Sequence, residues 1–209
     1  MAARCIAFDL DGTLVDSLPG IEAAMARTLD GIERPVIVAP GPWMVGPTLP
    51  DVFRTIYGLD PSDPHAESYA ATYRAHYLED GVYRSEPYPG VPAMLEALRD
   101  AGARMRVVTA KHEPVAIELL RHRRLLDLFD GVHGDGRKAE VLRGLASEHE
   151  AVMMVGDRAS DIQSGRTAEV GTCAVTWGYE PGDLRESSPD LVCHDVEAMA
   201  ASLLGWMTT

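Results

Sequence analysis

The chain has 209 residues, 46% of them hydrophobic, and a formal net charge of −13. That length suits one ordinary domain, or a core with a modest insertion, and the apolar fraction is enough to bury a sizeable core. The charge argues against nucleic acid and anionic membranes as partners, because both are repelled wherever a metal or a local cluster of positive groups does not reverse the field.

The amino-terminal apolar run is too short for a secretion signal, and no stretch approaches the roughly 20 apolar residues of a membrane-spanning helix. The three cysteines, Cys5, Cys173 and Cys193, lie in or beside apolar runs. Reduced, buried thiols are the usual state of such residues, and they predict a cytoplasmic protein.

Taken in chain order, the first element is RCIAF, a short strand-like run that ends at Asp9. FDLDGTLVDS follows (8–17), in which Asp9 and Asp11 leave the strand end and Gly12 permits a sharp turn that aims amides at an anion. From about 17 to 85 the pattern is helical, around Ile21–Leu29, Leu49–Tyr57 and Ala66–Leu78, with proline-rich turns and no convincing strand. YPGV (88–91) marks the return to strand and helix alternation, and a helix is predicted over 91–102. RMRVV then ends at Thr109, PVAIELLRHRRLLDLF predicts a helix over 114–129, and GVHG (131–134) a short strand. KAEVLRGLASEHE predicts a helix opening at Lys138, AVMMVG a strand ending at Asp157, and GTCAVTW (171–177) and LVCH (191–194) two more strands.

Alternation of buried strands with helices predicts an α/β fold, a doubly wound Rossmann-like parallel sheet, with ligands outside the carboxyl ends of its strands. Asp9, Thr109 and Asp157 all stand at such ends. The expected division is a core of residues 1–16 and 86–209 and a small α-helical cap of residues 17–85 inserted after the first strand.

Four carboxylates at one rim repel one another without a cation, and hard oxygen ligands suit Mg²⁺. Asp157 and Asp161 in GDRASD are the second pair, although an aspartate at that place also serves as a helix cap. Lysine usage gives an independent signal. Of the 19 basic residues only Lys111 and Lys138 are lysines. A chain that otherwise decorates its surface with arginine places both near this rim, where a compact ammonium screens a nucleophile and a phosphate.

DLDGT, the strand-ending Thr109, Lys138 and GDRASD occur in the order of the four motifs of the haloacid dehalogenase superfamily of phosphohydrolases, which the chain resembles over essentially its whole length. Within it, DSLPGI, VGPTLPDVFRTIYG, GVYRSEPYPGV and TAKHEP look most like the phosphoglycolate phosphatase and 5'-nucleotidase branch. Arg158 follows Asp157 where serine or threonine is commoner.

The resemblance implies a phosphatase in which Asp9 attacks phosphorus, Asp11 protonates the leaving alcohol and then activates water, and Thr109, Lys138 and the amides near Gly12 hold the phosphoryl oxygens. It implies Mg²⁺ held by Asp9, the Asp11 carbonyl, Asp157 and Asp161. Lys111 is then a neighbour of the substrate, and Arg54 and Arg84 are the cap residues expected to meet the leaving group, with Tyr57, Tyr73, Arg74 and His76 as further candidates. RHRR (121–124) is expected to be a solvated helix face.

An acid at position 11 argues against dehalogenation, and the absence of lysine from 17–85 argues against imine-forming phosphonate chemistry. A phosphosugar mutase, a non-catalytic phosphate-binding protein and a phospho-signalling module are the rival readings. The expected partner is a small-molecule phosphate ester, with no nucleic acid and no membrane, acting on a monomer or homodimer.

Overall fold

The computed structural model describes residues 4–179, 184 and 186–208. Six parallel strands form one sheet: β1 (Cys5–Phe8), β4 (Arg104–Val108), β5 (Gly131–His133), β6 (Val152–Gly156), β7 (Gly171–Val175) and β8 (Leu191–Cys193), in the order β5-β4-β1-β6-β7-β8. The chain winds outward from β1 through β4 to β5, returns to the far side of β1 at β6, and winds outward again. Such a reversal opens a crevice at the carboxyl ends of the central strands. Phe8 pairs with both Val107 and Val155, so Asp9, Thr109 and Asp157 leave adjacent strands side by side.

Every residue of β1 is buried, which is why its sequence is a continuous apolar run rather than an alternating one. Its side chains still alternate between faces. Ile6 and Phe8 join the cluster that includes Leu95 and Leu98 of α4 (Val91–Asp100), Leu119 of α5 (Glu113–His122) and Met199 and Leu203 of α8 (Val196–Thr208). Cys5 and Ala7 face Leu142 and Leu145 of α6 (Lys138–Glu148) on the other side, where α7 (Ala159–Thr167) also packs. Burying a side chain such as Ile6 or Phe8 contributes about 1.5–3 kcal/mol, so the strand carrying Asp9 is firmly anchored.

The helical segment comprises α1 (Leu18–Asp30), α2 (Leu49–Tyr57) and α3 (His65–Glu79). Pro19 lies in the first turn of α1, Thr48 caps α2 by accepting from the Asp51 amide, and Pro50 follows in its first turn. Gly20 of α1 meets the 3₁₀ turn Gly81–Arg84 so closely that a β-carbon there would stand 2.2 Å from the Gly81 carbonyl oxygen. Ile21, Met25, Phe53, Tyr73 and Tyr77 belong to the same apolar cluster as Phe8 and Leu95. The insert therefore shares its core with one face of the sheet.

Several elements differ from the sequence expectation. The linkers entering and leaving the helical segment pair as two antiparallel strands, β2 (Val15–Asp16) and β3 (Glu86–Pro87). The helix expected to run to residue 129 ends at His122, because Arg124 adopts φ 58° and the Leu125 amide reaches back to the Leu120 carbonyl, closing the helix with a left-handed turn. A 3₁₀ turn, Leu126–Leu128, follows. Arg123 is not part of a solvated face: it pairs with Glu86 at 2.7 Å and donates to the Tyr83 carbonyl at 2.8 Å. Helix α8 was not anticipated. Cys5, Cys173 and Cys193 are free, buried thiols, and among the described residues no helix is long and apolar enough to cross a membrane.

Candidate active site

Asp9, Asp157 and Asp161 converge at the carboxyl end of the sheet, each buried, with one carboxylate oxygen from each lying within 4.8 Å of the others. Lys138, at the start of α6 and only 8% exposed, stands between two of them, 2.9 Å from Asp9 Oδ1 and 2.5 Å from Asp161 Oδ1. Three carboxylates thus face one ammonium. That excess of negative charge and the all-oxygen donor set fit a hard divalent cation.

Protonation reports the same imbalance. Burial, with the Asp161 and Asp11 charges, outweighs the help of Lys138 and raises Asp9 to about 6. Burial and the charges of Asp9 and Asp161 raise Asp157 to about 7. Burial alone would lower Lys138, but Asp161 and Asp9 push it above the ordinary lysine range. The lysine therefore stays charged, while Asp9 and Asp157 lack enough positive charge to ionise easily.

Asp157 is not the helix cap. Arg158 holds that position, and Asp161, three residues on, accepts from the Arg158 amide at 3.2 Å. Asp161 thus both closes the first turn of α7 and binds Lys138. The Asp157 oxygens are held by Thr13 Oγ1 at 3.2 Å and by the Tyr179 amide at 3.0 Å. Gly12 has φ 81°, and a β-carbon there would stand 2.4 Å from Asp157 Oδ2. Only glycine allows the turn and this close approach together.

The Asp11 carboxylate is not part of the trio. Lys111 Nζ donates to both of its oxygens, at 3.0 and 3.1 Å, and sits 4.2 Å from the ring centre of Tyr77 on α3. Lys111 therefore links the first loop to the helical insert. The Thr109 hydroxyl accepts from the Lys111 amide at 3.2 Å, which leaves its proton free to donate into the site.

Asp9, Asp11, Thr109, Lys111 and Lys138 line a cavity of about 660 Å³ roofed by the helical insert. Arg54 lines it as expected, but Arg84 does not: it is 56% exposed and paired with Asp80 at 2.6 Å. Tyr73, Arg74 and Arg158 also line it. Tyr179 is a site residue that no local pattern announces. Its hydroxyl accepts from the Ser17 amide at 2.7 Å and the Leu18 amide at 3.0 Å and donates to Asp16 at 2.9 Å, while its own amide reaches Asp157. The neighbouring Trp177 ring nitrogen donates to the Thr13 carbonyl at 3.2 Å.

Comparison with known proteins agrees with this geometry. The chain is 34% identical over 188 residues to a phosphoglycolate phosphatase of Aquifex aeolicus, covering 84% of this chain and 86% of the relative. It is 34% identical to a 5'-nucleotidase of Pseudomonas aeruginosa, covering 93% and 92%. It is also 34% identical to the tyrosine-protein kinase PtkA of Mycobacterium tuberculosis, covering 91% of this chain and 68% of the relative. A solved haloacid dehalogenase-like hydrolase from Streptococcus pneumoniae superposes with a TM-score of 0.81 at 26% identity, covering 98% of both chains. The family model described as haloacid dehalogenase-like hydrolase matches residues 6–175, and the chain belongs to that family.

Proposed function

We propose that the chain is a Mg²⁺-dependent phosphatase of small phosphomonoesters that works through an aspartyl-phosphate. The observation that carries this reading is the buried trio of Asp9, Asp157 and Asp161 around Lys138, of which Asp9 and Lys138 line a cavity together with Asp11 and Thr109. Magnesium, held by Asp9, Asp157, Asp161 and the Asp11 carbonyl, would supply positive charge beside the transferring phosphoryl group.

In the first step a carboxylate oxygen of Asp9 forms a bond to phosphorus, and the bond from phosphorus to the ester oxygen breaks. The electron pair leaves with the alcohol, which takes a proton from Asp11. In the second step Asp11 accepts a proton from water as that water attacks phosphorus, releasing phosphate and restoring Asp9. Lys138, the Thr109 hydroxyl and the amides around Gly12 hold the equatorial oxygens, where charge spreads in the transition state. Both Asp11 oxygens are engaged by Lys111 in the resting protein, so Asp11 must exchange that partner for the leaving group. The released ammonium is then available to the phosphoryl group.

Residues 1–16 and 86–209 form the catalytic core in this reading, and residues 17–85 a cap that selects the leaving group. The paired linkers β2 and β3 support that division, as they are the two strands through which the chain enters and leaves the insert. The relative named a tyrosine-protein kinase supports a second reading, in which a phosphoryl group passes to a tyrosine hydroxyl instead of water.

Phosphate release from a panel of phosphomonoesters, with magnesium and with chelator, separates these readings. Magnesium-dependent release is the expected result. Isomerised but still phosphorylated products would indicate a mutase, and label moving from ATP to tyrosine without release from any monoester would favour the second reading.

A further inference from the structure

Building on the phosphatase reading, we propose that Tyr77, on helix α3 of the insert, is a positioning residue for the reaction: the face of its ring holds the Lys111 ammonium at the cavity wall once Asp11 has turned to the leaving alcohol.

Among the described residues two groups hold that ammonium. Asp11 accepts from it through both carboxylate oxygens, at 3.0 and 3.1 Å, and the ring centre of Tyr77 lies 4.2 Å away. The Lys111 side chain is only 10% exposed, so water is a poor substitute for either. Lysine is a point charge on a flexible stem. When Asp11 gives up its two bonds, the carboxylates of Asp9, Asp157 and Asp161 would draw a loose ammonium toward them, in competition with Lys138 and a metal ion. A ring face attracts a cation through its quadrupole, most strongly where water is excluded. Tyr77 is the partner that Lys111 keeps through that exchange.

The ring is fixed on several sides. Tyr77 is 1% exposed. Ser85 Oγ donates to the Gly81 carbonyl at 2.9 Å, so it accepts from the Tyr77 hydroxyl at 2.7 Å. That proton is therefore committed to Ser85, beside the strand by which the chain leaves the insert, and the ring face is what remains for Lys111. A β-carbon on Gly81 would stand 2.5 Å from Tyr77 Cδ2, and the Tyr73 ring stacks on Tyr77 at 6.0 Å between centres. Tyr77 and Lys111 both line the cavity that holds Asp9, Thr109 and Lys138, so the insert supplies a residue that acts on the phosphoryl site through the lysine.

The test replaces Tyr77 by phenylalanine and then by phenylalanines carrying one, two and three ring fluorines, which weaken the negative face of the ring and nearly keep its shape. kcat and KM are measured at saturating magnesium on a phosphomonoester that the wild type hydrolyses. Tyr77→Phe is expected to keep kcat within about threefold, and kcat should then fall stepwise along the fluorinated series by about 5- to 30-fold in all, the scale of one desolvated cation–ring contact. In a Lys111→Met background the series should be flat, because the cation is gone. A series that is flat with Lys111 in place overturns the role of Tyr77 and leaves the phosphatase reading standing. So does a rising series, the sign of a substrate anion meeting the ring directly, or a slope that survives Lys111→Met, or a loss in Tyr77→Phe as large as that expected of the whole series. Neighbouring members differ by a single fluorine, so the comparison is made among proteins that fold alike. No magnesium-dependent release from any ester by the wild type overturns the phosphatase reading and the role of Tyr77 with it.

Discussion

Lys138 is the residue on which the site's electrostatics turn. It is the single ammonium among three buried carboxylates, within 2.9 Å of Asp9 and 2.5 Å of Asp161. Lys138→Ala is expected to lower kcat by about 10²–10³, the scale of losing one preorganised charge contact; steady-state kinetics at saturating magnesium check it, and a change below tenfold would remove Lys138 from phosphoryl stabilisation. Gly12→Ala puts a β-carbon 2.4 Å from Asp157 Oδ2 at a φ of 81°. It should cost about 1–2 kcal/mol for the left-handed backbone alone, and displacement of Asp157 should also weaken magnesium binding. A denaturation curve combined with a magnesium titration reads the two effects separately.

The element scale explains which parts were legible in the sequence. Strand ends could be read because each strand is a short apolar run stopped by a polar residue, so Asp9, Thr109 and Asp157 were recognisable before any geometry. Tyr179 could not be, because its hydroxyl bonds to residues more than 160 positions away, with sequence separations of 162 and 161 to Ser17 and Leu18. Strands β2 and β3 have two residues each and exist only because the two linkers meet. Arg84 was misplaced because its side chain is satisfied one helical turn back, by Asp80. Helix α8 carries a legible stripe: Met199 and Leu203 are buried, and Val196, Ala200, Leu204 and Met207, at helical spacing, pack against the same core. Tyr179→Phe removes the hydroxyl's bonds to Asp16, Ser17 and Leu18 and keeps the backbone bond to Asp157. It should cost about 1–2 kcal/mol of stability while magnesium affinity is retained. A loss of magnesium affinity as large as that of Asp157→Ala would contradict this division of labour.

At the scale of the whole molecule, the chain combines a net charge of −13 with a buried carboxylate trio. Asp9 is raised from 3.8 to about 6 and Asp157 from 3.8 to about 7, both chiefly by burial. Between the unfolded and folded values the native state binds more protons than the unfolded chain, so stability of the metal-free protein should fall as pH rises from about 4 to 7. A cation that binds the ionised trio should offset that loss. Melting temperature measured with chelator and with excess magnesium should therefore diverge as pH rises, with a larger magnesium effect at pH 8 than at pH 5. An effect of the same size at both would separate magnesium from these carboxylates. Because one apolar cluster runs from the sheet into the helical insert, unfolding is expected as a single transition; two resolved transitions would show that the insert melts independently.

The proposed covalent intermediate on Asp9 is the central claim, and trapping it is the most direct test. The protein is mixed with a phosphomonoester labelled in its phosphoryl group, quenched within one turnover, reduced with borohydride, and digested. The predicted result is label retained on protein before reduction and homoserine in place of aspartate at position 9 afterwards, with neither in Asp9→Asn. Turnover without any covalent label, or reduction at a different carboxylate, would contradict the mechanism.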